Sequence, residues 1–369
     1  MQFSIPLLSL RKPLDAVISV VDRGSSLPVT SNVLLRIRNN QLSVTGSNLQ
    51  VEMTSRQNLT VDLPELTTTL PGQKLENLCK SFPDDAMLDC ELKDAEFTLR
   101  SGSFAGSLNT IAAENFPLME QASGETQVSM LAEAEQLNQM FDCCAYAMAV
   151  QDVRYFLNGM KIEVSQEKIT AVATDGHRMA MAHLDQDIRV NVPGNFIIPR
   201  RGVIELVRVL GKNPGRAEFQ VSKGSLLVKI GQLAFQCKLV EGEFPNYRAA
   251  IPAPPLNRMV IDCQKLIALV ERAAVFSNEK PRGIRLNFEP NRLVLQTNNS
   301  QGEKAYDEMP AEFGDSGKTI GLNADYLLAA LRKIETEKVE ISYGGQSESC
   351  RFEEHNGSDQ LAVIMSMKV

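Results

Sequence analysis

The chain has 369 residues, 43% hydrophobic and 22% charged, which fits two to three globular domains that each bury a core. Lys and Arg number 38 against 45 Asp and Glu, a formal charge of −7; this excludes a protein coated in positive charge, though not a local basic surface. Trp is absent, which argues against a rich stacking platform for single strands.

The opening MQFSIPLLSLRKPLDAV reads as a strand followed by a helix and lacks the order of a signal peptide. No apolar run approaches the ~18 residues of a membrane span, so a cytoplasmic protein is expected. A helix at 10–22 precedes alternating strand segments at 33–38, 41–45 and 51–62, a helix at 73–81 and a strand at 96–100. A linker is expected at Gln121-Ala122-Ser123-Gly124-Glu125. Helix 134–149, strands 160–164 and 168–173, helix 201–211 and strands 225–230 and 233–239 follow. A second linker, Ile251-Pro252-Ala253-Pro254-Pro255, holds prolines that forbid helix and central strand alike. Helix 263–277, strand 284–288, helix 324–334 and strand 339–343 complete the chain. Apolar stripes mark the buried helix faces: Val203, Leu206, Val207 and Leu210, then Leu266, Leu269, Val270 and Ala273. Arg38-Asn39-Asn40 and Glu289-Pro290-Asn291 are hairpin turns.

This order is a repeat. Leu42-Ser43-Val44-Thr45-Gly46-Ser47-Asn48 returns as Ile169-Thr170-Ala171-Val172-Ala173-Thr174-Asp175 and as Leu293-Val294-Leu295-Gln296-Thr297-Asn298-Asn299, offsets of 127 and 124. Helices after Pro71, Pro199 and Asn323 recur at 128 and 124, and Phe116-Pro117 returns as Phe244-Pro245 at 128. Three similar domains are expected, at 1–124, 127–252 and 256–369. Each is α+β, an antiparallel sheet with two helices on one face. The seven cysteines are scattered without CxxC spacing and read as free buried thiols.

Charge is uneven along the helices. Arg200, Arg201, Arg208 and Lys212 face only Glu205; Lys74 and Lys80 face Glu76; Lys265, Arg272, Lys280 and Arg282 face Glu271 and Glu279. Two readings stay open: solvated faces whose cations complement helix dipoles, or one basic surface that attracts phosphates without reading bases. The three histidines, His177, His183 and His355, have no metal spacing. Asp175 and His177 could be drawn as an acid–base pair, but Asp175 occupies a strand-end position shared by Asn48 and Asn299. No nucleophile motif accompanies the pair, and no catalysis, metal or cofactor is expected.

Five blocks in order carry a resemblance: Gln151–Met160, Ala173–Arg178, Pro199–Leu206, Phe244–Arg248 and Ser277–Gly283. Across its whole length the chain resembles the bacterial DNA polymerase III beta subunit, the sliding clamp. The resemblance implies a head-to-tail homodimeric ring with helices lining the hole and sheets outside, holding duplex DNA by topology and without sequence readout. It implies a docking pocket for short linear peptides at Leu157, Thr174, Gly176, His177, Arg178, Met179, Pro245, Tyr247, Arg248, Ser349, Val363, Ile364, Met365 and Met367. The partners implied are the replicative polymerase alpha subunit, the delta subunit of the clamp loader, translesion polymerases, mismatch-repair proteins and DNA ligase. Ala249 and Ala250 replace bulkier rim residues common in the family, and Ser366 stands where Pro is common.

For DNA the resemblance adds Arg23, Gln151, Tyr155 and Phe156 to the helix cations Lys74, Lys80, Arg200, Arg201, Arg208, Lys212, Lys265, Arg272, Lys280 and Arg282. For the ring joint it implies Lys74, Leu108, Val275, Phe276, Glu303 and Asp307, while Ser103-Phe104-Ala105-Gly106 lacks the basic residues often found there. Two rivals remain at this stage: a monomeric DNA-binding module, and an enzyme using Asp175 and His177.

Overall fold

A computed structural model describes all residues except 23–27, 121–124, 254–256, 314–317, 345–348, 358 and 369. Arg23, most of the first expected linker and the end of the second lie outside the described residues. Six helices are present among them: α1 (Leu7–Val17), α2 (Gly72–Lys80), α3 (Ala134–Ala145), α4 (Arg200–Leu210), α5 (Cys263–Ala274) and α6 (Ala324–Leu331). Each repeat runs strand, helix, several strands, helix, three strands.

Local chemistry sets the helix ends. Asp262 Oδ1 accepts the Lys265 N–H at 2.9 Å, and Asn323 Oδ1 accepts those of Asp325 and Tyr326 at 2.9 and 3.1 Å. The first helix opens at Leu7, directly after Pro6, and ends at Val17 in a 3-10 turn, earlier at both ends than 10–22. The helix end packs on strand Gln41–Ser47: a Cβ on Gly46 would lie 2.9 Å from the Val17 carbonyl oxygen. The small residue in the repeated pattern therefore answers a close helix–strand approach. Leu266, Leu269, Val270 and Ala273 are buried as the stripe predicts, each large side chain contributing about 1.5–3 kcal/mol. On α4, Val209 is buried and Val207 only half so.

The chain condenses into two compact units that do not follow the repeats: residues 1–138, 187–194 and 201–239, and residues 139–186, 195–200 and 240–369. In the first, strand Val51–Asn58 of repeat one pairs antiparallel with Leu233–Lys238, the last strand of repeat two, inside a nine-stranded sheet. In the second, Arg178–Leu184 of repeat two pairs the same way with Gln360–Ile364, the last strand of repeat three, inside another nine-stranded sheet. Hydrogen-bonded joints between repeats thus decide the units. Each unit also holds a four-stranded sheet. Phe104–Asn109, last strand of repeat one, is an edge of one, and Lys304–Pro310 of repeat three is an edge of the other. The third-repeat core includes Phe288 stacked on Tyr343 with centroids 3.8 Å apart. No helix among the described residues is long and apolar enough to cross a membrane.

Candidate functional site

At the second joint lies a groove with a cavity of about 420 Å³. Its floor is Met179 and Val363, register partners on neighbouring strands. The turn after strand Ile169–Thr174 supplies one wall: Asp175 Oδ1 accepts the N–H groups of His177 and Arg178 at 2.9 and 3.0 Å, and Thr174 Oγ1 donates to the Arg178 carbonyl at 2.7 Å. Asp175 is thus a turn former, as its strand-end position predicts. Gly176 takes φ +89° in this turn, where an added Cβ would lie 3.1 Å from Arg154 Nη1. Arg154 is held by Asp152, whose carboxyl the guanidinium's hydrogen bonds pull down to about 2.

Arg178 is fixed on three sides. Its Nε donates to Asp175 Oδ2 at 3.0 Å, and its guanidinium lies over the rings of Tyr326 and Tyr146 at 4.4 and 5.4 Å. The opposite wall is the segment Pro245–Ala250, where Pro245, Asn246, Tyr247, Ala249 and Ala250 line the groove. Behind it, Glu163 accepts hydrogen bonds from Tyr247 Oη at 2.8 Å and Arg248 Nη2 at 2.5 Å, with Lys161 Nζ 2.9 Å from its other oxygen. Burial pushes the Glu163 carboxyl up, but the hydrogen bonds from Arg248, Lys161 and Tyr247 outweigh it and hold the group at about 2. Burial and the bond to Glu163 push the Tyr247 hydroxyl well above its usual range.

Eleven expected pocket residues line this groove: Leu157, Thr174, Gly176, His177, Arg178, Met179, Pro245, Tyr247, Ser349, Val363 and Met365. Ile364 does not. Strand alternation turns it, 1% exposed, into the third-repeat core while Val363 faces the groove. Arg248 sits behind the wall on Glu163, and the Met367 backbone N–H bonds to Gly321 O. Phe156, expected beside DNA, lines the groove. Arg154 and Asn246 complete the lining; both lie inside the blocks that carry the resemblance, yet neither is among the expected pocket residues.

The expected DNA cations are mostly paired. Arg208 bonds Glu205 at 3.0 Å and donates to the Ala16 carbonyl at 3.0 Å; Arg201 pairs with Asp22, Lys265 with Asp262, Arg282 with Asp325, and Lys80 with Glu76. Arg200 donates to the Met148 carbonyl at 3.2 Å. Lys74, Lys212 and Lys280 are exposed and make no ion pair among the described residues. Gln151 and Tyr155 are exposed on the loop that leads to the groove. Leu108 is half-buried on its edge strand, Val275 and Phe276 are exposed after α5, and Glu303 accepts from Asn299 Nδ2 at 2.6 Å.

Family models for the N-terminal, central and C-terminal domains of the DNA polymerase III beta subunit match residues 1–120, 132–246 and 248–368. The chain belongs to the DNA polymerase III beta subunit family. It is 36% identical to the beta sliding clamp of Pseudomonas putida and 32% to that of Escherichia coli, over the full length of both chains in each case. The solved DNA polymerase sliding clamp from Pseudomonas aeruginosa superposes with a TM-score of 0.94 at 36% identity, covering all of both chains. The Caulobacter crescentus polymerase III beta structure gives 0.90 at 25%, again over all of both. The beta subunit is the non-catalytic sliding clamp of the polymerase, a processivity factor in DNA replication. In this clamp the Asp175–Gly176–His177 turn shapes a groove, and the acid–base reading of Asp175 and His177 falls away.

Proposed function

We propose that two copies of the chain close head to tail into a ring around duplex DNA, and that the groove at the second joint tethers replication proteins by short apolar peptides. The observation that carries the ring is a pair of unused strand edges. Both joints within the chain pair the third strand of one repeat's first meander with the last strand of the next repeat. The same rule leaves Lys304–Pro310 and Phe104–Asn109 as edges of their sheets, with Tyr306 59% and Phe104 39% exposed. Pairing these edges between copies repeats the rule twice more and closes a symmetric assembly. Topology then supplies the hold on DNA, and weak phosphate contacts leave the ring free to slide.

The domain limits 1–124, 127–252 and 256–369, a cytoplasmic location, and docking of the polymerase alpha subunit, the clamp-loader delta subunit, translesion polymerases, mismatch-repair proteins and DNA ligase belong to the same proposal. The groove's Met and aliphatic lining suits several partners because such side chains repack readily. Light scattering should give twice the 40.7 kDa chain mass. Clamp loaded onto nicked circular duplex should stay on it and run off after linearisation; equal retention on both would overturn encirclement.

A further inference from the structure

The linkers, counted with the residues that lead into them (Met119–Glu120 and Pro245–Ala250), are tied down in opposite ways. At the first joint the register partners are Glu52 and Gln236, and both grip the linker backbone. Glu52 Oε2 accepts the Met119 N–H at 2.7 Å, and Gln236 Nε2 donates to the Glu120 carbonyl at 2.8 Å. At the second joint the same register positions carry Met179 and Val363, which offer no such bonds. There the linker is held from its far side, by Glu163 through the Tyr247 hydroxyl and the Arg248 guanidinium. Arg248 also lies over the Tyr247 ring at 4.6 Å. Glu163 itself does not line the groove.

We infer that Glu163 is a positioning residue for peptide docking: by holding Tyr247 and Arg248 from behind, it fixes the linker wall and keeps the groove open. This rests on reading the groove as the docking site. Tyr247 is only 4% exposed, so its hydroxyl needs a partner. Without Glu163 that hydroxyl is orphaned and the wall loses both side-chain ties. Met179 and Val363 already pack in one apolar cluster with Tyr247, so a wall freed from Glu163 can close further over the remaining apolar lining of the groove. A groove that must first reopen binds with only its open fraction.

The test uses the full-length dimer and a fluorescein-labelled hexapeptide ending in Leu-Leu-Phe, followed by anisotropy and stopped flow. Glu163→Ala should weaken binding at least tenfold, chiefly through a slower association rate, with dimer mass and retention on circular DNA unchanged. Glu163→Gln, which keeps an acceptor for Tyr247 and loses the ion pair, should recover part of the loss. Tyr247→Phe should cost affinity in the parent and nothing further in the Glu163→Ala background. A residue that only stabilised the fold would lower the melting temperature without this non-additivity. Met365→Ala tests the groove itself. If Met365→Ala weakens binding and both Glu163 variants stay within twofold of the parent, the positioning role is wrong and the groove stands. If the parent shows no saturable binding, or no variant alters it, the groove reading fails and takes the positioning role with it.

Discussion

Arg272 on α5 donates through Nε and Nη2 to a single oxygen of Asp307, at 2.8 and 2.5 Å, on the edge strand Lys304–Pro310. A cation expected to meet DNA and an acid expected at the ring joint therefore neutralise each other within one chain. Their side chains are 61% and 31% exposed, so the pair contributes at most about 1 kcal/mol and fades with salt. Its consequence is for function: a phosphate near Arg272 meets a neutralised pair rather than a free cation.

The DNA-facing charge should accordingly rest on the unpaired lysines. Lys74→Ala and Lys212→Ala should each flatten the salt dependence of DNA association, with a log–log slope change of about 0.9 for each phosphate left without its cation. Arg272→Ala should leave that slope nearly unchanged. The measurement is the association constant with duplex DNA across a salt series; a larger effect from Arg272 than from the lysines would contradict the pairing.

Gly176 sets the groove wall with φ +89°. Gly176→Ala forces a side chain into a left-handed conformation at a cost of roughly 1–2 kcal/mol and pushes on the Arg154 guanidinium 3.1 Å away. Calorimetry should show a melting point lower by a few degrees, and peptide affinity should fall. Gly102, also at positive φ but with open space around its Cβ position, should show the melting shift without the affinity loss when changed to Ala.

The Glu163 carboxyl sits at about 2, below its ordinary 4.5. A depressed carboxylate contributes stability that is fully present above pH 4.5 and is lost as pH falls toward 2. Acid unfolding of Glu163→Gln should therefore show a shallower loss of stability across that window than the parent. Indistinguishable acid limbs would show that Glu163 gains nothing from Arg248, Lys161 and Tyr247.

Six of the seven cysteines are buried and Cys143 is half-buried. Burial pushes Cys79, Cys90 and Cys350 up to about 12 and Cys263 to about 11, so little nucleophilic thiolate forms at neutral pH. A disulfide reagent at pH 8 should titrate one fast thiol in the native protein and seven after denaturation. Replacing Cys143 with Ser should abolish the fast phase.

The amino-acid sequence by itself determined the threefold repeat and the six helices, while the resemblance to the family implied most of the residues that line the groove. Helix and strand periodicity are local, and a fixed spacing such as Gly46, Ala173, Thr297 survives in the linear order. Only the tertiary structure decided that Val363 faces the groove while Ile364 enters the core, since strand alternation fixes opposite faces but not which is which. It also decided that Arg272 meets Asp307, Arg208 meets Glu205 and the Ala16 carbonyl, and Glu163 holds Tyr247 from 84 residues away. Glu163 is one acid on an alternating strand and carries no signal of its own. Long-range pairing depends on which strands meet at a joint, and that is settled by packing and hydrogen bonding across the whole sheet.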